Sequence, residues 1–294
     1  MKPDISIIIL TRNPGEQFDE ILSTIECQSY SGEVETLVID SGSSDGTLSL
    51  ARSYGCNVFS IEPEAFHHSK TRNYGAEKAT GDILVYLTHD ATPKTEDWLT
   101  NLVNPIITGE AGIVYARQVA YPDAKPMNEH FYSYFYPAER NLLNSNEITD
   151  TRQFFLDNVY VSDVSAAIDV DVWEQYRFQE AVHMSEDKDF ALRALEDGVN
   201  IVYEPEAAVY HSHEYSLIEN LHRRFKDGRA YAMIACSGED KFVSSGMRYV
   251  ISEIKYLSKH GYLHWLPYAF VYDLTHFFGF ECGKLIGRIK NSNL

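Results

Sequence analysis

The feature that most constrains the fold of this chain is a regular alternation of short apolar runs with helix-like segments over its first hundred residues. The run at 5–10 is almost entirely apolar, as expected of a strand that is buried on both faces of a parallel sheet. The next apolar residues recur at helical spacing, at Phe18, Ile21, Leu22 and Ile25. Strands that alternate with helices of this length predict an α/β domain whose central sheet is mostly parallel and flanked by helices.

The same alternation predicts further strands at 35–40, 57–61 and 82–87, and helices at 16–28, 47–54 and 70–79. From about 112 to 205 the pattern is less regular and includes an aromatic-rich stretch at 130–136. A later helix is expected to end at Gly198, because glycine suits a helix C-cap, and a strand is expected at 199–203.

Charge limits the kinds of partner that this chain can bind. Its 294 residues include 25 Lys and Arg against 43 Asp and Glu, a formal net charge of −18. An acidic surface repels phosphate backbones, so we expect no nucleic-acid binding. Acidic proteins can, however, use a few carboxylates to hold a hard cation such as Mg²⁺.

Cysteine usage and hydropathy bear on the compartment. The wide spacing of the four cysteines argues against a structural zinc site and against a disulfide scaffold; they are Cys27, Cys56, Cys236 and Cys282. The first residues carry only a short apolar run, whereas a signal peptide needs a longer apolar core behind a basic start. No stretch of the sequence reaches the roughly 20 apolar residues of a membrane-spanning helix. We therefore expect a cytoplasmic protein.

The segment 241–294 differs in composition from the rest. It contains seven Lys and Arg and three acidic residues, a formal charge of +4 on an otherwise acidic chain. Nine aromatic residues lie between Tyr256 and Phe280. A basic, aromatic, helical tail is expected to lie on a membrane surface or to form the interface of a homodimer. Simple capping of the core is an equally good interpretation of these aromatic residues.

Binding chemistry is expected where the strands end. In open α/β sheets, ligands bind outside the carboxyl ends of the strands, and Asp40 and Asp90 both fall there. Asp40 begins the turn-rich segment Asp40-Ser-Gly-Ser-Ser-Asp-Gly-Thr47 and can accept hydrogen bonds from a base or a ribose. A well-capped strand-to-helix turn explains this segment equally well, and Asp90 can instead cap the next helix.

Three other groups of polar residues are candidates for a site. Arg72 and Asn73 are expected to open a helix whose N-terminus can hold a phosphate. The acidic cluster Ser185-Glu-Asp-Lys-Asp189 precedes an apolar helical segment, and it can equally be the favourable negative charge of a first helical turn. His211-Ser-His213 offers one candidate metal ligand and one structural histidine.

The order and spacing of these groups resemble the family-2 glycosyltransferases of the GT-A fold, and more narrowly their bacterial rhamnosyltransferase-like branch. The resemblance runs from Ile5 to about Arg229. It includes Ile9-Leu-Thr-Arg-Asn13, the segment 40–47, the His-x-x-x-Thr-Arg-Asn-x-Gly pattern ending at Gly75, Leu87-Thr-His-Asp-Ala91, Glu186-Asp187 and His211-Ser-His213. It implies a GT-A domain at 1–240, with a nucleotide-sugar-binding half at 1–110 and an acceptor and catalytic half at 111–240, followed by the tail.

The resemblance implies a site for a nucleotide and a metal ion. The family holds Mg²⁺ or Mn²⁺ with a DxD motif, which here reads Thr88-His89-Asp90, so that only the last acid is kept. Asp90 is thereby implied as the main protein ligand of the metal, with His211 as a further one. The residues implied to surround the nucleotide are Thr11, Asn13, Asp40, Ser41, Arg72, Asn73 and His89.

The resemblance also implies catalytic residues. Asp187 matches the family's general base, which takes the proton of the acceptor hydroxyl in a single displacement with inversion, and Glu186 orients it or contacts the acceptor. Arg223 and Arg224 are candidates for a basic loop that closes over the diphosphate or contacts the acceptor, with a solvated helix face as the alternative. The acceptor, a glycan or lipid-linked oligosaccharide of bacterial surface polysaccharide synthesis, is expected at about 130–185, with 161–167 in its wall.

The donor follows from the resemblance alone: dTDP-β-L-rhamnose is expected, and a UDP-hexose is the alternative. Other enzyme classes fit poorly. A sugar-1-phosphate nucleotidyltransferase needs a Gly-rich, basic phosphate loop where this chain has Thr11-Arg-Asn-Pro-Gly15, and an NAD-dependent dehydrogenase needs a GxGxxG after a strand. Because the DxD motif is incomplete, a non-catalytic binding module is a further alternative. We expect the enzyme at the inner face of a bacterial cell membrane.

Overall fold

A computed structural model of the chain describes residues 4–148, 150–182, 184–234 and 242–291. The strands are β1 (Ile5–Thr11), β2 (Val34–Asp40), β3 (Asn57–Ser60), β4 (Ile83–Thr88), β5 (Thr92–Pro93), β6 (Ile113–Val119), β7 (Asn141–Leu143), β8 (Ser165–Asp169) and β9 (Ile201–Tyr210). The α-helices are α1 (Gln17–Glu26), α2 (Thr47–Ser53), α3 (His68–Lys78), α4 (Trp98–Ile107), α5 (Pro126–Phe135), α6 (Thr151–Asn158), α7 (Val170–Tyr176), α8 (Glu186–Glu196), α9 (Leu217–Ile234), α10 (Phe242–Lys259) and α11 (Leu266–Asn291). Two residues used in the composition arguments, Cys236 and Lys241, lie outside the described residues.

Within the described residues, nine strands form one sheet in the order β3-β2-β1-β4-β8-β6-β9-β5, with β7 paired to β9. β1 runs parallel to β2 and β4, and β2 runs parallel to β3. β8 pairs antiparallel with β4 and β6, and β9 pairs antiparallel with β5 and β7. The predicted α/β class is confirmed, and parallel pairing is observed among the four strands that the alternation predicted. The sheet as a whole is mixed and not mostly parallel, because the described pairings of β5, β7, β8 and β9 are antiparallel.

The predicted helix at 70–79 begins two residues earlier than expected, at His68. Arg72 and Asn73 therefore lie in its second turn, so the prediction that they open the helix is wrong. The helix is polar and lacks the apolar spacing that would mark its start, and its N-cap residue, His67, makes no side-chain capping bond. The predicted helix end at Gly198 is observed, since α8 ends at Glu196 and Gly198 has a φ of 96°.

The chain divides into two compact units. The first consists of Met1–Gln118, Ala138–Thr151 and Tyr160–His211 and contains the sheet. Its core forms where alternate side chains of the buried strands, such as Ile7, Ile9 and Val85, pack with apolar residues of α1 and α4. Both helices carry an apolar stripe, with Phe18 and Leu102 fully buried, because their apolar residues recur at helical spacing.

The second unit consists of Val119–Pro137, Arg152–Val159 and Ser212–Leu294 and contains the predicted tail. The described part of the tail is helical, as predicted. A small core forms between Met127 of α5, Leu257 of α10 and Ala269 of α11, and four of the nine aromatic residues pack against it: Tyr256, Tyr262, Trp265 and Tyr268. Core capping is thus confirmed for these four residues. Within the described residues, no helix combines the length and the hydropathy that crossing a membrane requires.

Glycines allow α9 and α11 to approach each other closely. A Cβ atom at Gly283 would lie 2.0 Å from the carbonyl oxygen of Phe225, and one at Gly228 would lie 2.1 Å from that of Phe280. Only a residue without a Cβ fits this contact between two backbones. The face of α11 that carries Gly279, Gly283 and Gly287 is therefore occupied by α9.

Candidate active site

The loops that follow β1 and β2 are joined through Asp40, whose side chain is fully buried at the end of β2. Its Oδ1 accepts a hydrogen bond from the Thr11 hydroxyl (3.2 Å), and its Oδ2 accepts from the backbone N–H groups of Gly42 (3.0 Å) and Ser43 (2.9 Å). The Ser41 hydroxyl donates to the Thr11 carbonyl oxygen at 3.1 Å. The turn interpretation is confirmed for Asp40, and its contact with a base or ribose stays a prediction.

Asn13 locks the same two loops together. It has a φ of 45°, in the left-handed region that few residues other than glycine adopt. Its N–H donates to the Ser43 hydroxyl (2.8 Å), and its side-chain oxygen accepts from the Ser44 N–H (2.8 Å). Backbone strain of this kind concentrates at functional sites, where the surrounding contacts hold it in place.

Asp90 lies just past the carboxyl end of β4, and about a third of its side chain is exposed. The next helix, α4, has Asp97 at its N-cap, and β5 lies in between. The alternative that Asp90 caps the next helix is therefore wrong. The preceding residue, His89, donates from its ring Nδ1 to the carbonyl oxygen of Leu10 at 2.9 Å, which ties this segment to β1.

His211 is held beside Asp90 by the pairing of β9 with β5, in which Tyr210 lies opposite Thr92. Its Nε2 is 3.8 Å from Asp90 Oδ1, and its Nδ1 is 2.9 Å from the side-chain oxygen of buried Gln118. Donation from Nδ1–H to Gln118 directs the Nε2 lone pair towards Asp90, which is how metal-binding histidines are usually oriented. Mn²⁺ accepts both a carboxylate oxygen and an imidazole nitrogen as ligands, whereas Mg²⁺ prefers the oxygen. The two residues therefore fit a metal site.

A buried charge cluster lies between α3 and α8. Arg72 is 7% exposed; its Nε lies 3.0 Å from Oδ2 of Asp163, and its Nη1 donates to Oε1 of Glu186. Asp163 is 3% and Glu186 is 5% exposed. Burial disfavours the charged guanidinium, but the carboxylates of Glu186, Asp163 and Asp187 more than offset it and raise the pKa of Arg72.

Asp187 stands in the first turn of α8 and remains partly exposed. Its Oδ1 accepts from the Lys188 N–H (2.8 Å) and its Oδ2 accepts from the Asp163 N–H (3.2 Å). Burial raises the pKa of Asp187 and the neighbouring Glu186 adds to this shift, while Arg72 opposes it. The carboxylate is thus held in one orientation by two amides and is a stronger base than an ordinary aspartate.

Two further residues of the acidic cluster at the start of α8, Asp189 and Ser185, have different roles. Asp189 accepts from Arg193 Nε at 2.9 Å on the partly exposed side of the helix, so the first-turn interpretation is adequate for this residue. Ser185, directly ahead of Glu186, has a φ of 61° in the left-handed region. The strained backbone at Ser185 marks the segment that presents Glu186 and Asp187.

Asn73 and Arg72 are already occupied by contacts inside the first unit. The Asn73 amide donates to the Phe178 carbonyl oxygen (2.8 Å) and accepts from the Phe178 N–H and the Trp173 ring N–H (3.1 Å each). These bonds fix the segment ahead of α8, and Arg72 is fixed by its two ion pairs. The predicted contacts of both residues with a nucleotide stay predictions.

Sequence reasoning missed two residues of this arrangement, Asp163 and Gln118. Burial, opposed by Arg72 and reinforced by Asp187 and Glu186, raises the pKa of Asp163 to about 8. The sequence does carry a signal for Asp163, because it is the one acidic residue within 161–167, a segment of otherwise small and apolar residues that continues into β8. Gln118 carried no such signal, because its contact with His211 joins two distant parts of the chain.

Arg223 and Arg224 lie in α9 of the second unit, so the prediction of a basic loop is wrong and the helix alternative is correct. Both pair with Asp227, through Arg224 Nη1 at 2.9 Å and Arg223 Nε at 3.4 Å. An i,i+4 or i,i+3 pair of this kind forms readily on a helix whose sequence places the charges one turn apart. A role of the two arginines towards diphosphate or acceptor stays a prediction. His213, also in the second unit, packs against Tyr215.

Comparison with known sequences relates this chain to one enzyme family. The sequence model described as Glycosyl transferase family 2 matches residues 6–176. The O-antigen chain rhamnosyltransferase RfbN of Salmonella typhimurium is 31% identical over 289 residues, which cover 95% of this chain and 89% of RfbN. The O-antigen chain rhamnosyltransferase WbaN of Salmonella anatum is 29% identical, over 96% of this chain and 90% of WbaN.

Comparison with solved structures identifies a protein with a similar fold. The mannosyltransferase PcManGT from Pyrobaculum calidifontis, solved in complex with GDP-Man and Mn²⁺, superimposes with a TM-score of 0.62 at 16% sequence identity. The match covers 99% of this chain and 88% of that protein. The likeness concerns the fold, and it confirms the predicted architecture of a central sheet flanked by helices with a helical C-terminal region.

Proposed function

Since this chain belongs to glycosyltransferase family 2, we propose that it is an inverting enzyme that moves L-rhamnose from dTDP-β-L-rhamnose to a hydroxyl of a glycan or lipid-linked oligosaccharide. Its relatives RfbN and WbaN are named as O-antigen chain rhamnosyltransferases, and this supports both the donor and a role in surface polysaccharide synthesis. A UDP-hexose is the alternative donor. In this proposal residues 1–240 form the glycosyltransferase domain and 241–294 form its tail.

The observation that carries the proposal is the geometry of Asp187. Its carboxylate is partly exposed, is aimed by two backbone N–H groups and has a raised pKa. A general base needs these three properties, because it must reach the acceptor hydroxyl, keep its orientation and attract a proton. Glu186 serves as a positioning residue, since its ion pair with Arg72 fixes the start of α8.

The reaction is a single displacement. The acceptor oxygen forms a bond to the anomeric carbon of the sugar while its proton passes to Asp187. The bond between that carbon and the β-phosphate oxygen breaks, and its electron pair leaves with the nucleoside diphosphate. Attack opposite the leaving group inverts the anomeric carbon, so a β-linked donor yields an α-linked rhamnose.

Asp90 and His211 would hold Mg²⁺ or Mn²⁺ against the diphosphate, where the cation supplies positive charge to the departing phosphates. Gln118 keeps His211 in the tautomer that this requires. The interlocked loops carrying Thr11, Asn13, Asp40 and Ser41, together with His89, lie at the carboxyl ends of β1, β2 and β4. We assign the nucleotide to this edge of the sheet, with Arg72 and Asn73 beneath it.

A thermal-shift screen of dTDP, UDP, GDP and CMP tests this assignment. We expect dTDP with Mn²⁺ to raise the melting temperature, because ligand at 100 times its Kd stabilises the folded state by about 2.7 kcal/mol. Asp90→Asn is expected to abolish most of the dependence on Mn²⁺. Asp82→Asn is the matched control, since Asp82 is exposed at the opposite end of β4.

The outcomes of the screen separate the parts of the proposal. A preference for UDP would keep the glycosyltransferase and discard rhamnose. An unchanged metal response in Asp90→Asn would remove Asp90 from the site. The absence of any response to the four nucleotides in the wild-type protein would contradict the enzyme site and favour a non-catalytic binding module.

The helices of the tail expose an apolar surface, for which we propose a membrane surface as the partner. On α10 the exposed apolar residues are Met247, Ile251 and Ile254. On α11 they are Phe270, Val271, Leu274, Phe277, Phe278, Leu285, Ile286 and Ile289. At 100° per residue all of these α11 side chains except Ile286 lie within about 60° of the direction opposite its glycines, so packing against α9 leaves them uncovered.

Charge favours a membrane over a second copy of the chain. Arg248, Lys255 and Lys259 are exposed and lie along one side of the α10 stripe. Exposed apolar side chains flanked by cations are typical of helices that lie in the interface of anionic lipids. In a symmetric homodimer that paired this surface with its own copy, the positive charges of the two chains would instead approach and repel one another.

Vesicle flotation tests the membrane assignment. We expect the protein to float with vesicles of phosphatidylglycerol and phosphatidylethanolamine, and less so at high salt. The triple substitution Phe270→Gln, Phe278→Gln and Leu285→Gln is expected to weaken binding more than tenfold, because burying one large apolar side chain contributes about 1.5 kcal/mol or more.

The matched control is Val34→Gln, Ile107→Gln and Leu142→Gln, three exposed apolar residues of the first unit, which should leave flotation unchanged. Equal flotation of the two triple variants would contradict the assignment. The assignment would also be contradicted if the wild-type protein is a dimer that does not bind vesicles, and if only the α11 triple variant is monomeric. That result would identify the surface as a dimer interface.

A further inference from the structure

The charge cluster around Arg72 contains more carboxyl groups than it can balance. Asp163, Glu186 and Asp187 all act on the one guanidinium, and Asp163 and Glu186 are almost fully buried. The groups that face Asp163 are Arg72 of α3, Tyr86 of β4, and Glu186 and Asp187 of α8. Tyr86 is buried with its pKa raised well above 10, so it carries no charge. Lys188 also acts on Asp187, which is partly exposed, so the buried imbalance concerns Asp163 and Glu186. Two ionised carboxylates against the one guanidinium would leave an uncompensated buried charge, which is costly.

The hydrogen bonds distinguish the three carboxyl groups by how well each negative charge is stabilised. Glu186 accepts from Arg72 Nη1, and Asp187 accepts from two backbone N–H groups. The Oδ2 atom of Asp163 is buried without a hydrogen bond, although Arg72 Nε lies 3.0 Å away. Hydrogen bonds to a carboxylate favour its ionised form, so Asp163 has the least stabilised negative charge of the three.

We propose that Asp163 is a positioning residue that holds a proton while the site is active, so that Asp187 beside it is the ionised carboxylate that receives the acceptor's proton. This inference rests on the proposed role of Asp187 as the base. The backbone N–H of Asp163 donates to Asp187 Oδ2 and so orients the base. The protonated side chain of the same residue places no second negative charge beside it. Burial acts in the same direction, since it raises the pKa of Asp163 to about 8.

A protonated Asp163 makes the site sensitive to alkaline pH. The pKa of Asp163 is raised from an unfolded value of about 3.9, so its contribution to stability is fully present below that value and is lost as the pH rises through about 8. At pH 9 only about a tenth of the molecules would keep the proton. Ionised Asp163 then competes with Glu186 for the one Arg72 guanidinium, which weakens the ion pair that fixes the start of α8. The fraction of molecules that hold Asp187 in its active orientation therefore falls.

Asp163→Asn tests the proposal, because asparagine has the shape of a protonated aspartate and cannot ionise. We expect its kcat/KM at pH 7 to stay within about threefold of the wild type. The roughly tenfold loss that the wild type shows between pH 7 and pH 9 should disappear in this variant. Activity is measured as diphosphate released from dTDP-β-L-rhamnose, or from UDP-glucose if the nucleotide screen selects UDP. Without any ligand, the melting temperature should fall less between pH 5 and pH 9 in this variant than in the wild type.

Asp82→Asn serves as the control, because an exposed aspartate should change neither profile. The proposal is overturned if Asp163→Asn keeps the alkaline loss of the wild type, or if it remains folded but loses more than about 100-fold in kcat/KM at every pH. Asp187→Asn separates the two assignments. If that variant stays active, the base has been misassigned, while the melting temperatures of Asp163→Asn still decide whether Asp163 carries a proton.

Discussion

Replacing Asp187 with asparagine is expected to lower kcat/KM for sugar transfer by about 10²- to 10⁴-fold, the usual contribution of a general base. Asparagine has the shape of aspartate, and its side-chain oxygen can still accept one of the two N–H groups that hold Asp187. It cannot, however, take up the hydroxyl proton. Binding of the nucleotide and metal should be retained, because Asp90 and His211 contact each other and not Asp187.

The test needs both a transfer assay and the nucleotide thermal shift. Asp189→Asn is the matched control: it lies two residues further along α8, and its carboxylate pairs with Arg193 instead of facing Asp163 and Arg72. We expect this control to keep transfer within a few-fold of the wild type. An equal loss of transfer and of nucleotide response in Asp187→Asn would mean that Asp187 binds the nucleotide and is not the base.

Replacing Arg72 with methionine is expected to destabilise the protein by about 3–5 kcal/mol at pH 8, the usual cost of removing one partner of a buried ion pair. Methionine fills much of the volume but leaves Asp163 and Glu186 without their cation. Without the guanidinium that lowers it, the pKa of Asp163 rises further in the variant, so the stability of the variant is present at low pH and is lost as the pH rises. The deficit should therefore be smaller at pH 5 than at pH 8.

Lys70→Met is the control for this experiment. Lys70 lies on the same helix, and its pair with Glu180 at 3.2 Å is exposed on both sides, so its loss should cost less than about 1 kcal/mol. Urea unfolding of the three proteins at pH 5 and pH 8 gives the comparison. If Arg72→Met unfolds like the wild type but loses its response to nucleotide, Arg72 acts mainly as the nucleotide contact that the sequence predicted.

These two experiments test different residues of the same site. In the proposed reaction Asp187 contacts the acceptor, whereas Arg72 holds together the carboxyl groups around Asp187. The cluster is also where the backbone is strained, at Ser185, and where Phe178 and Asn73 fix the approach to α8. Conformational freedom at the base is thus removed by contacts within the first unit, before any substrate binds.

The elements of the first hundred residues could be predicted from sequence because their signals are local. The period of the apolar residues distinguishes strand from helix, and the four strands β1 to β4 lie within two residues of their predicted bounds. The order of the motifs was also sufficient to predict the family, which the match over residues 6–176 confirms. The polar start of α3 lacked a periodic signal, and its boundary was predicted less well.

The tertiary structure decided the features that depend on residues far apart in the chain. The partners of Arg72 are about 90 or more residues away at Asp163 and Glu186, and the partner of His211 is Gln118. No local pattern records which distant side chains meet, because this depends on strand order, and here antiparallel β8 is inserted between β4 and β6. The sequence by itself determined the α/β elements, the family and the acidic pair at 186–187. Only the folded chain determined that Asp163 shares the environment of Asp187, since burial and nearby charge set the protonation of a carboxyl group.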